Sequence, residues 1–139
     1  MSNIESKLNV IVLLAICFAG YYILTTPKTP IAPPDDAWFQ AAVVNQPEPV
    51  LVKFGADWCG PCRAMEPELD QLAENRRGQL GVVRVNVDQR SSLAQHYGVS
   101  SIPRLLLFRH GQVIADRVGY ADQKQLQQWV DSNATSATN

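Results

Sequence analysis

The segment Trp58-Cys59-Gly60-Pro61-Cys62 constrains the fold of this chain more than any other, because of what flanks it. Before it, Val50-Leu51-Val52-Lys53-Phe54 reads as a buried strand, apolar at every position but Lys53. After it, from Cys59 to about Arg77, Met65, Leu69 and Leu72 recur at helical spacing, and Gly78 supplies the stop. Pro67 lies inside that stretch and predicts a kink, since its ring removes a backbone donor. The cysteine pair thus sits where a strand turns into a helix.

That position has chemical consequences. A cysteine in the first turn of a helix faces unpaired backbone N–H groups and the positive end of the helix dipole. Both favour thiolate over thiol, so the pKa of Cys59 is expected to fall and its reactivity to rise. Cys62, one turn further in, reaches Cys59 while shielded from solvent. Cys59 is then the nucleophile on a substrate disulfide, and Cys62 resolves the mixed disulfide. Gly60 and Pro61 suit the site, because proline is tolerated in a first turn where its missing donor is not needed. A disulfide across so short a loop removes little unfolded-chain entropy, so its value is chemical. Structural zinc wants four ligands, there is no second CxxC, and His96 and His110 have no matching spacing. No metal site or cofactor is expected. Two other readings stay open: capture of a soft metal such as Cu(I) by the two thiolates, and a binding module without turnover.

The remaining pattern completes a small α/β domain. Asp35 or Asp36 caps a helix to about Asn45, with Trp38, Phe39 and Val43 as its stripe, and Gln46-Pro47-Glu48-Pro49 ends it. Val82 to Val87 is a second strand, and Ser91 to Tyr97 a short helix ending at Gly98. Leu105 to Phe108 and Val113 to Val118 flank His110-Gly111 as a hairpin, with Gly119 as a bulge or a close approach. Asp122 caps a last helix carrying Leu126, Trp129 and Val130 on one face. Strands joined by helices, then a hairpin, predict a mixed sheet covered on both faces.

The amino-terminal region is of another kind. No charged residue lies between Lys7 and Lys28, and Val10 to Leu24 is strongly apolar. With its flanks this run approaches the roughly 20 residues a bilayer needs, and Tyr21 and Tyr22 suit an interface. Residues 1–26 are expected to form a membrane anchor, a single transmembrane helix. A cleaved signal after Cys17-Phe18-Ala19 and a lipoprotein-type Cys17 are the alternatives. Residues 27–34 are a proline-rich spacer, 35–133 the domain, and 134–139 a frayed polar tail. The lysines nearly balance across the segment, and short amino-terminal segments usually stay inside, which places the domain on the extracytoplasmic, periplasmic side. A net charge of −1 with no basic stripe excludes nucleic acid as an expected partner.

From about Asp35 to Ser132 the sequence resembles the thioredoxin family. Trp58-Cys59-Gly60-Pro61-Cys62 matches its active-site motif. Val85-Asn86-Val87-Asp88, Tyr97-Gly98-Val99, Ile102-Pro103, Leu105 to Phe108, the His110-Gly111 turn and Val118-Gly119 match in order and spacing. The resemblance implies a thioredoxin fold, with a mixed sheet of four to five strands, and a thiol–disulfide oxidoreductase acting as a protein-disulfide reductase. It implies that Pro103 is cis against the cysteine pair, supported by Trp58, and that Gly55, Ile102, Arg104 and Gly119 border the substrate groove. Disulfide-containing proteins are the implied substrates. The implied electron donor is a membrane dithiol carrier outside the cytoplasm or a flavin reductase inside it.

Four departures stand out. Lys53 occupies the strand position where the family usually carries a buried acid. A charged Lys53 stabilises a thiolate, a neutral one acts as a base, and one whose stem bends out reaches water. Gly55 stands where the family usually has tryptophan, which is expected to open the surface beside Cys59. Arg104 follows Pro103 in place of the usual threonine and is expected to favour thiolate or to select acidic substrate groups. The proline-rich stretch replaces the family's first strand. Lys53 and Arg104 together predict a potential less negative than the thioredoxin value of roughly −270 mV.

Overall fold

Alternation along one central strand organises the molecule. The computed structural model describes residues 2–25 and 31–136. In it β1 (Val50–Gly55) is buried along its whole length. It pairs in parallel with β2 (Gly81–Asn86) and antiparallel with β3 (Arg104–Arg109), which pairs antiparallel with β4 (Gln112–Val118). The sheet has four strands in the order β2-β1-β3-β4. Because neighbouring side chains on a strand point to opposite faces, Val50, Val52 and Phe54 join one core while Leu51 joins the other.

The first core is filled by a short helix α2 (Ala37–Phe39), which runs on as a π-helical turn over Gln40–Val44, and by α5 (Ser91–His96). Phe39, Val43, Leu93 and Tyr97 from these elements meet Leu106 and Phe108 of β3. Asp36 starts the first helix, its carboxylate accepting the Phe39 N–H at 2.8 Å. The expected single helix to Asn45 is therefore α-helical only at its start and widens after Phe39.

On the opposite face lie α3 (Gly60–Ala64), α4 (Glu66–Asn75) and α6 (Gln123–Ser136). Met65, Leu69, Leu72, Leu126 and Val130 pack there against Leu105 and Leu107. The expected kinked helix after Cys59 is two helices broken at Met65. Pro67 sits in the first turn of α4, where it has no N–H to continue the ladder from α3. Asp122 begins α6 by accepting the Gln125 N–H at 2.8 Å, and the Gln125 side chain returns a bond to the Asp122 N–H. The frayed tail expected from Ala134 is corrected in part: α6 continues to Ser136, since no Gly or Pro interrupts it, and 137–139 lie outside the described residues.

His110 and Gly111 both have positive φ, 49° and 73°, the twist a tight hairpin needs. The bulge falls between Leu107 and Phe108, which face Ala115 and Val113 and leave Ile114 unpaired. Gly119 is instead the close approach: its N–H donates to the Pro103 carbonyl at 2.8 Å.

At the amino terminus α1 spans Ser2–Thr25. Among the described residues, no helix is long and apolar enough to cross a membrane. The strongly apolar run, Val10 to Leu24, makes only about 22 Å of helix at ~1.5 Å per residue, against the ~30 Å of a bilayer core. The transmembrane helix expected over residues 1–26 is thus corrected: α1 is a helix too short in its apolar part to span, with largely exposed side chains over 9–21. Most of the expected spacer, 27–30, lies outside the described residues.

Candidate active site

The carboxyl end of β1 delivers the chain through Ala56, Asp57 and Trp58 to the start of α3. Cys59 takes an extended conformation there and caps α3, its Sγ accepting the Cys62 N–H at 3.2 Å. The two cysteines form a disulfide with Cα atoms 5.2 Å apart. Cys59 is 5% exposed and Cys62 1%, so the first is the more accessible of the two. Pro61 lies in the first turn of α3, where its missing donor costs nothing.

Around the pair, Ala56 completes a small buried cluster against which Ile102 and Val87 pack. The Ile102–Pro103 peptide is cis. Gly119, bonded to the Pro103 carbonyl, ties the end of β4 to that segment. Trp58 is 69% exposed, and its indole N–H donates to the Asp88 carboxylate at 2.9 Å. Asp88 is in turn set by Asn86, whose side-chain oxygen accepts the Asp88 N–H. Trp58, Gly60 and Pro61 thus adjoin the cysteines in sequence, Ile102 packs against their cluster, and Pro103 and Gly119 follow Ile102 through the cis bond and the backbone hydrogen bond.

Two of the expected groove residues, Arg104 and Gly55, are placed otherwise than on an open surface. The Arg104 guanidinium makes a two-point contact with Asp116, at 3.0 and 2.6 Å, and its remaining nitrogen donates to the Gly98 carbonyl. That pairing holds it as a guanidinium against the cost of its burial. With all three nitrogens engaged, Arg104 fastens β3 to β4 and is not free to receive a substrate acid. Gly55 is buried, and a side chain there would point at Lys53 and Cys62, not at the surface beside Cys59.

Lys53 is the third surprise. Its side chain is 8% exposed, so the ammonium does not reach bulk water. It projects from β1 on the face covered by α3 and α4 and pairs with Glu66. Glu66 also accepts from Arg84 Nε at 2.6 Å, and Arg84 pairs in turn with Asp70. Burial by itself raises the Glu66 carboxyl, but the bonds and charges of Lys53 and Arg84 outweigh it and hold the group below its ordinary range. A cavity of about 330 Å³ opens beside this chain of charges, bordered by Lys53, Asp57, Arg63, Glu66 and Arg84.

Glu66, Arg84, Asp88 and Asp116 are the site residues that sequence reasoning missed. Glu66 had a signal, since it lies one helical turn beyond Cys62 on the helix that packs over Lys53. Arg84 had one too, as the register partner of Lys53 in β2. Among the described residues, no group of three or more His, Cys, Asp or Glu side chains is placed to hold a metal ion.

A cysteine pair that closes a disulfide at the mouth of a helix is built for exchange of dithiol and disulfide, and the protein is a thiol–disulfide oxidoreductase of that class. Residues 31–132 match the family profile described as Thioredoxin. The thioredoxin of Haemophilus influenzae is 41% identical over 99 residues, covering 71% of this chain and 92% of that protein. The thioredoxin of Pseudomonas aeruginosa is 41% identical over 98 residues, and thioredoxin 1 of a Nostoc species 39% over 98, covering 70% of this chain and 91% and 92% of theirs. This chain belongs to the thioredoxin family.

Proposed function

We propose that the protein is a protein-disulfide reductase that works at a membrane, held there by α1, with its domain on the extracytoplasmic side. The observation that carries the reductase reading is Cys59 at the start of α3, accepting a backbone N–H and more exposed than the partner that resolves it. Support for the tether comes from α1, where Val10, Ile11, Leu13, Leu14, Ile16 and Phe18 are each more than half exposed on a helix apolar all round. The substrates are disulfide-bonded proteins presented near that surface. Electrons arrive from a membrane dithiol carrier.

The test uses the full chain in lipid vesicles. Turnover of a disulfide-bonded protein with dithiothreitol as donor, abolished by Cys59→Ser, is the expected result. Partner binding with no turnover would overturn it in favour of a binding module. Stoichiometric copper retained after reducing purification, again without turnover, would favour metal capture. The direction is read from the potential, expected above roughly −270 mV; a value at or below that would overturn the expectation of a less negative potential. A carboxyl-terminal reporter read as cytoplasmic would overturn the orientation.

A further inference from the structure

Three residues that are separate in the sequence meet behind Cys62. Lys53 and Gly55 lie on the same face of β1, two positions apart, and Glu66 faces them from α4. A Cβ on Gly55 would stand 2.7 Å from Lys53 Cε, 2.8 Å from its Nζ and 3.2 Å from Cys62 Sγ. Glycine is therefore the residue that leaves room for the lysine to lie down in this direction. Through that same point the ammonium and the sulfur are no more than about 6 Å apart, within the range where a charge shifts its neighbour's ionisation. No atom of Glu66 comes as close to the point as the sulfur does.

We propose that Lys53, laid over Gly55 and fixed by Glu66, is the positioning residue that stabilises the Cys62 thiolate when the mixed disulfide is resolved. The inference rests on the reductase reading above and deepens it. In the first step the Cys59 thiolate attacks a substrate disulfide, forming one sulfur–sulfur bond and releasing one substrate thiolate. In the second, Cys62 gives its proton to solvent. Its thiolate attacks Cys59 Sγ, the Cys59–Cys62 bond forms, and the bond from Cys59 to the substrate breaks. The second substrate thiolate leaves and takes a proton from solvent. Two electrons have passed from the enzyme dithiol to the substrate disulfide.

Lys53 acts here as a charge and not as a base. A base needs a free lone pair on Nζ, and Nζ is instead paired with the carboxylate of Glu66. The other charges about it are Arg84 on β2, Arg63 on α3, Asp57 before α3 and Asp70 on α4. Arg84 is opposite Lys53 in register, and two cations side by side would repel; Glu66 accepts from both and removes that conflict.

The experiment follows the two steps separately in the reduced full chain. Titration of the thiols by ultraviolet absorbance gives the ionisation of Cys62, and stopped-flow with a disulfide substrate gives attack and resolution. Lys53→Met is expected to move the Cys62 titration up by about one pH unit or more and to slow resolution about tenfold near neutral pH. Attack by Cys59, measured in Cys62→Ser, should change by less than about threefold, because Cys59 keeps its own helix N-terminus. Gly55→Ala keeps every charge but displaces the ammonium, and is expected to shift the titration in the same direction. Glu66→Gln frees the ammonium and should do so more weakly. Circular dichroism of each variant establishes folding, and Gly55→Ala serves if Lys53→Met does not fold. A Cys62 titration and resolution rate within twofold of the native chain in either variant would overturn the proposal. If the native chain fails to turn over, the reductase reading fails, whereas the thiol titration needs no substrate and still decides this point.

Discussion

Phe39→Ala tests whether the first helical segment is part of the cooperative fold. Phe39 has no exposed surface, and its ring centroid lies 5.5 Å from that of Tyr97 and 5.6 Å from that of Phe108. Burial of such a side chain contributes about 1.5–3 kcal/mol. The cavity and the lost edge contacts bring the expected destabilisation to about 3–5 kcal/mol. For a urea slope of about 2 kcal/mol per molar, the midpoint falls by roughly 2 M with the slope unchanged. Near-ultraviolet circular dichroism during urea unfolding follows this directly, because it reports packing of the domain and not the helicity of α1. Trp38→Ala is the control. Trp38 is 39% exposed, stacks under Arg90 at 3.9 Å from the ring centre and lies tilted to Phe39 with centroids 6.5 Å apart, so its loss is expected at about 1 kcal/mol or less. A loss below about 1.5 kcal/mol for Phe39→Ala would refute the reasoning. It would mean that α2 leaves the sheet before the rest unfolds.

Three further outcomes are expected. The Tyr97 hydroxyl is buried without a hydrogen-bond partner among the described residues, and burial pushes its pKa up to about 12. Tyr97→Phe should therefore be neutral or stabilising by up to about 1 kcal/mol, and a loss larger than that in thermal unfolding would show a hidden partner. Glu66 is held below its ordinary pKa in the folded chain, so its contribution is present above the unfolded value and lost as pH falls through the folded one. Glu66→Gln should destabilise most near neutral pH, by less than about 1 kcal/mol after screening, and converge with the native chain in acid; a gap that widens in acid would contradict the sign. Arg104→Ala should lower stability by about 1 kcal/mol while leaving the relative rates on acidic and neutral peptide disulfides alike, since its guanidinium is already spent on Asp116 and Gly98. A selective loss on acidic substrates would restore it to the groove.

How much of this was legible in the sequence varies with the range of the interaction. The strand before Cys59, the helix after it and the hairpin at His110-Gly111 are set by local pattern and turn chemistry, and each lies within a residue or two of its expected place. The cis peptide at Pro103 was implied by a family resemblance, not by spacing. The fates of Lys53, Gly55 and Arg104 were not legible, because each depends on a partner brought close only by folding. Lys53 meets a carboxylate on a helix 13 residues on, and Arg104 meets one across a hairpin. A bulge at Ile114 and a π-helical turn after Phe39 shift register by a residue, which no periodicity of apolar side chains reveals. At the amino terminus, hydropathy over the whole run suggested a span that the described part of α1 does not support.

The strict alternation of β1 has one more effect. Sliding that strand by a single position against its neighbours would turn Lys53 from the side of Glu66 into the side of Phe39, Phe108 and Tyr97. There an ammonium would meet aromatic rings and a phenol that is already unpaired, with no carboxylate from the Glu66 side, at a penalty of several kcal/mol. The one charged residue in an otherwise apolar strand thus acts as a proofreader of assembly: only the pairing that builds the cysteine site gives it somewhere to go.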